Sequence, residues 1–261
     1  MKKLIKYDVI KMLGTLPYFY LFTICFASLT RLVNVWSDIQ FVFIIGQILQ
    51  GTAIALMVNI MVNTFINVIV RSFVTSFYKD ESYLTHTLPV TKEKLLNSKI
   101  ISAVILTLLG VLVCFASLFI MFYSSDFVSL IKSLINGVVV GLNMSGGTFV
   151  TLVALVFFVE IIAMLLVGFS AVVKGYSYNH KKVKMSFIWF IIYYSISVVA
   201  SLIVMVVVLA ISGSVSALTA TVMEASAFVT ILVVGLINYL VMAVVFYFIC
   251  RNQFSRGVNV D

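Results

Sequence analysis

The strongest constraint on this chain is where its charges are missing. Six stretches run nearly free of ionisable side chains: Lys11 to Arg31, Asp38 to Arg71, Lys99 to Asp126, Lys132 to Lys174, Lys184 to Glu224 and Glu224 to Arg251. Glu160 is the one interruption. A fold bathed in water cannot hide six such runs, and each is long enough for the roughly 20 apolar residues that cross a bilayer as a helix. Strands of a membrane barrel would alternate apolar with polar residues, whereas these runs are apolar on every side. The expected class is therefore all-α, a polytopic membrane protein of six transmembrane helices forming a single transmembrane domain over 1–261. Its hydrophobic share of 63% and charged share of 10% agree, set against about 45–50% and 25% in ordinary globular domains.

Spans are expected near Leu16–Val33, Phe41–Val70, Ile100–Phe122, Phe149–Val173, Phe187–Ile211 and Phe228–Ile249. The net charge of +8 then sorts by topology rather than pointing to nucleic acid. Fifteen of the 17 Lys and Arg residues fall on the side of the termini, and only Arg31 and Lys132 fall on the other. By the positive-inside rule both termini are expected in the cytoplasm, and the same basic residues favour anionic headgroups. Residues 1–15 carry Lys2, Lys3, Lys6 and Lys11 among Leu4, Ile5, Val9, Ile10, Met12 and Leu13, an amphipathic segment expected to lie at the interface.

Two features of length stand out. The second span covers 30 residues, about 45 Å at ~1.5 Å per residue, against a hydrocarbon core of ~30 Å, so protrusion into the cytoplasm is expected. The uncharged stretch from Met185 to Met223 is too long for one crossing and too short for two with a turn. Its end, Ser212–Thr221, is read as a re-entrant or interfacial segment on the outer side. Phe127–Asn143 is amphipathic and is expected to lie outside the bilayer before the fourth span. Within it Gly137 and Gly141 fit a small-xxx-small spacing, read as a close-packed turn.

Few side chains carry chemistry. Asn59, Asn63 and Asn67 recur every four residues and share one helix face. They are read either as a polar strip on a translocation path or as hydrogen bonds between helices. Glu160, near the centre of the fourth span, costs about 2.5–3.5 kcal/mol on insertion scales and is expected to face the bundle interior. Its candidate roles are a proton- or cation-linked site, a substrate contact, or a hydrogen bond to an Asn of the second span. Cys25, Cys114 and Cys250 are isolated, so neither a disulfide nor a metal site is expected. Nucleotide-binding loops, zinc-protease motifs and nucleophile elbows are absent from the sequence, so no catalytic residue is expected in this chain.

The richest signal is residues 71–99, the largest charged block. Thr91 after Pro89 is positioned to cap a short helix carrying Lys92, Lys94 and Lys99, with Val90, Leu95, Leu96 and Ile100 as an apolar docking face. The run Tyr83-Leu-Thr-His-Thr-Leu-Pro-Val-Thr, followed by Leu95, Leu96 and Lys99, resembles the loop between the second and third helices of type-2 permeases of ATP-binding-cassette exporters. The basic amphipathic start, the six helices and the small, weakly polar segment before the last span follow the same layout.

That resemblance implies a permease subunit, paired with itself or a related permease in a bacterial plasma membrane. Two separate ATPase subunits would bind ATP and Mg, with no cofactor in this chain. It implies an ATPase-coupling segment at Thr87, Leu88, Pro89, Val90, Thr91, Lys92, Lys94, Leu95 and Leu96, and an external gate region at Ser212–Thr221. Cargo is expected to be amphipathic, with peptides the leading case. Two alternatives stay open: an ATP-independent carrier or channel using Glu160, and a non-transporting membrane sensor or regulator.

Overall fold

The computed structural model describes residues 2–36, 39–79, 81–87, 89–142, 145–211 and 225–256. The described residues are almost wholly helical and contain no strand. Ser212–Thr221 lies outside them. Among the described residues nine helices follow in order: α1 (Lys2–Leu13), α2 (Leu16–Asn34), α3 (Gln40–Tyr78), α4 (Ser82–Thr87), α5 (Lys92–Phe122), α6 (Ser125–Leu142), α7 (Gly146–Gly175), α8 (Lys182–Ile211) and α9 (Ala225–Ser255). Six of them, α2, α3, α5, α7, α8 and α9, are long and apolar enough to cross a membrane. The protein is a multi-pass α-helical membrane protein. The amphipathic segment before α7 forms α6, whose apolar portion is too short for a crossing. It is a helix rather than the turn expected around Gly137, and a side chain built at Gly137 would meet open space.

The helices group into two compact units, Met1–Val128 and Ser129–Asn259. In the first, α2 packs on α3 and α5, and α1 packs on the start of α5. Small side chains let these helices approach closely: Ala27 and Ala53 are fully buried beside Met57 and Met121. Pro17 occupies the first turn of α2, where its missing N–H deprives the helix of no hydrogen bond.

α3 is longer than its apolar pattern alone requires, at 39 residues. Its final part changes winding: Asn67–Val74 is π-helical. At the entry, the Asn67 N–H is shared between the Asn63 and Thr64 carbonyls, and at the exit the Thr75 N–H reaches Val70. The Thr75 hydroxyl donates to the same Val70 carbonyl at 3.2 Å. The wider winding shifts the phase of every later side chain. It buries Val68, Ile69, Ser72, Phe73 and Val74, and Phe73 meets Phe77 edge-to-face with centroids 5.0 Å apart.

α5 begins eight residues before the span expected at Ile100. Thr91 is extended, with φ −65° and ψ 145°, and Lys92 is already helical. No Pro or Gly follows until Gly110, and Glu93 in the first turn suits the positive end of the helix dipole. The short helix expected after Pro89 is therefore not a separate element. It is the opening of α5, and the only separate short helix of this region is α4, on the other side of Pro89.

In the second unit α7 packs on both α8 and α9. Ser145 caps α7 by accepting from the Thr148 N–H at 3.2 Å. Along the α7–α9 seam the Ser170 hydroxyl lies 2.7 Å from the Leu166 carbonyl and 2.9 Å from that of Phe246. Leu165, Leu166, Phe169, Phe246, Cys250 and Phe254 are buried in this unit. Where α7 ends, Gly175 meets the backbone of Ser186. A β-carbon there would collide with the Ser186 backbone nitrogen and α-carbon, so no side chain fits.

Candidate functional site

In the first unit the base of the α3–α5 connection is an ionic circuit. Lys99, on the second turn of α5 and 7% exposed, spends its ammonium group on three oxygens. Asp8 Oδ1 lies at 2.5 Å, Ser76 Oγ at 3.0 Å and Ser72 Oγ at 3.4 Å. The Phe77 ring stands 5.9 Å from the same nitrogen. Ser76 accepts from Lys99 and donates to Glu81 Oε2 at 3.1 Å. Glu81 Oε1 accepts in turn from Lys11. Asp8 and Lys11 are three residues apart, on one face of α1. That helix is thus fastened at two points, through Asp8 to the start of α5 and through Lys11 to Glu81 in the connection after α3. A further bond runs from Arg71 Nη1 to Thr15 Oγ1 at 2.5 Å.

A buried charge is tolerated only when paired and hydrogen-bonded, and Lys99 meets both conditions. Glu81 sits in the connection itself. The hydrogen bond from Lys11 holds its carboxyl below the usual range, opposed by partial burial and assisted by Ser76.

Beyond the circuit the connection is exposed. Tyr83 and Leu84 on α4 present 77% and 67% of their surface. Thr87 closes α4, its hydroxyl donating to the Leu84 carbonyl at 3.0 Å. Pro89, Thr91, Lys92 and Lys94 are exposed and Val90 is half-buried. Leu88 lies outside the described residues. Leu95 and Leu96 differ from expectation: both are buried in the core of the unit, on the turn of α5 that carries Lys99 inward. The exposed large apolar side chains of the connection, among its described residues, are Tyr83 and Leu84.

The three Asn residues of α3 do share a face, and they bond along it. The Asn63 amide donates to the Asn59 backbone carbonyl at 3.0 Å and to its side-chain oxygen, and Asn67 donates to the Asn63 carbonyl at 2.8 Å. These bonds bring the strip together within one helix.

In the second unit Glu160 projects among α7, α8 and α9 and lines two adjoining cavities of about 240 and 280 Å³. The cavities share Ser201, Met205 and Tyr239 with it. The Tyr239 hydroxyl on α9 donates to Glu160 Oε1 at 3.3 Å. Beside it Asn238 donates to the Ser201 hydroxyl at 2.7 Å, tying α9 to α8. Elsewhere the walls are mostly Val, Leu, Ile and Met, with Thr230 in one cavity and Tyr194 and Ser197 in the other. Such a chamber, apolar with a few convergent polar groups, is the usual form of a small-molecule site.

No protein-family model, curated protein or solved structure matches this chain.

Proposed function

We propose that this protein is the membrane-spanning permease subunit of an ATP-binding-cassette exporter, working as a homo- or heterodimer in a bacterial plasma membrane. Separate ATPase subunits would bind ATP and Mg and drive export of amphipathic cargo such as peptides. The observation that carries this reading is the α3–α5 connection. It offers an exposed apolar pair, Tyr83 and Leu84, backed by exposed Lys92 and Lys94. The circuit Asp8–Lys99–Ser76–Glu81–Lys11 roots that surface in three helices at once. A partner pressing on α4 would act on α1, α3 and α5 together, as a membrane subunit without its own nucleotide site requires.

Co-purification tests it. The chain should retain a soluble ATPase in mild detergent, and Tyr83→Ser with Leu84→Ser should release that ATPase while the permease stays folded. Export by the complex should stop when the ATPase is catalytically dead. A chain that transports at full rate in vesicles without any ATPase refutes the reading. A second reading, an ATP-independent carrier, draws on Glu160 in its chamber. In that case the protein alone moves solute along a proton or cation gradient, and Glu160→Gln abolishes the movement.

A further inference from the structure

The geometry points to a binding site for a protonated lipophilic amine in the chamber at Glu160, the ammonium group seated on the carboxylate and the apolar body filling the space between α8 and α9. The inference deepens the permease reading by naming the class of molecule its second unit holds.

Hydrogen-bond capacity inside the chamber carries the argument. Tyr239 directs its hydroxyl proton at Glu160 Oε1. Ser197 and Ser201 each donate to a carbonyl of their own helix, both at 2.8 Å, and so present only acceptor lone pairs. Asn238 uses one amide proton on Ser201. Glu160 and the Asn238 carbonyl oxygen are thus acceptors on the cavity walls, and the Tyr194 hydroxyl adds one group that can either donate or accept. No Lys or Arg lines either cavity. A carboxylate surrounded by Val, Leu and Met, with further acceptors beside it, calls for a ligand that brings positive charge and N–H donors.

Other ligand classes fit less well. One carboxylate and a few neutral oxygens fall short of the six to eight oxygen ligands of a calcium site. An anion would face Glu160 uncompensated. A sugar would leave most hydroxyls against aliphatic walls. An amine with a compact hydrocarbon body satisfies both halves of the chamber. Tyr194 and Tyr239 add aromatic rings to the lining, and Met164, Met205 and Met242 give walls that adapt to the body.

Adamantylamine is a suitable probe, because its rigid body suits a cavity of about 240–280 Å³. Equilibrium binding of labelled adamantylamine is measured on the full chain in lipid nanodiscs, with empty nanodiscs subtracted and no ATPase present. Saturable binding is expected, competed by unlabelled amine and not by adamantanol, which has the same body without the charge. Glu160→Gln should weaken binding tenfold or more, the usual scale for losing a charge-assisted contact. Absence of saturable binding, equal competition by the alcohol, or unchanged affinity in a folded Glu160→Gln variant overturns the inference. Failure here leaves the ATPase co-purification result standing, and failure there leaves this one standing.

Discussion

The Asp8–Lys99 pair gives the most direct test of how the first unit is held together. Both groups are largely removed from water, with side-chain exposures of 14% and 7%. Asp8→Ala leaves Lys99 with two serine hydroxyls, an aromatic ring and the more distant Glu81, but no directly bonded counter-charge. Removing one partner of a buried pair typically costs about 3–5 kcal/mol. At ~2–4 °C per kcal/mol for a chain of this size, the lower figure gives a fall in melting temperature of about 6–12 °C. Thermal unfolding in detergent, followed by the far-ultraviolet helix signal, reads it. Lys99→Met alone should destabilise too, since Asp8 is then left unpaired. Asp8→Leu combined with Lys99→Met removes both charges and should recover at least half of the loss, because paired apolar replacements are often neutral. A shift under about 2 °C for Asp8→Ala would refute the reasoning, as would strictly additive effects in the double variant.

Further outcomes follow from neighbouring features. Gly175→Ala should lower stability by about 1–3 kcal/mol or prevent accumulation in the membrane, because its β-carbon meets the Ser186 backbone. Gly51→Ala, which meets nothing within 4 Å, is the control and should be neutral or stabilising by about 0.5–1 kcal/mol. Glu81, with its carboxyl held down in the folded state, adds stability that is fully present above its ordinary value of 4.5 and lost as pH falls through the lower folded one. Its side chain is 41% exposed, so the effect should be no more than about 1 kcal/mol. Glu81→Gln should remove that acid-sensitive component when melting is compared at neutral pH and below the carboxylate range. Leu96→Ala should destabilise by about 2–5 kcal/mol as a core truncation, whereas Tyr83→Ser and Leu84→Ser should leave the melting temperature within about 2 °C.

The architecture was legible because hydropathy is a local property. Six apolar runs in the sequence became six helices long enough to span, and the interruption at Pro89 fell where the winding breaks. Glu160 was legible for a similar reason, a lone acid in a 30-residue helix having to face something polar. Its neighbours were not. Tyr239, Asn238 and Ser201 are unremarkable membrane-helix residues taken singly, and only the packing of α7, α8 and α9 makes them a group. The one available signal was that Asn238 is the sole carboxamide in the apolar portion of the last span. The ionic circuit was hidden by distance: Lys99 reads as one more positive charge near a loop until α1 is seen to bring Asp8 to it. Leu95 and Leu96 were misplaced onto a docking face because a pair of leucines after a capping threonine suits a surface helix and a buried turn equally well. The extension of α5 decided for burial.

The fastening of α1 also sets an order of events during synthesis. Lys11 must wait for Glu81, 70 residues later, and Asp8 must wait for Lys99, 91 residues later. At about 5–20 residues per second, the N-terminal helix spends some 5–20 s beside the ribosome with its acid unmatched. Nascent chains halted before the third apolar run therefore lack the residue that holds their first helix in place. They should expose that segment to protease until a few more codons are read.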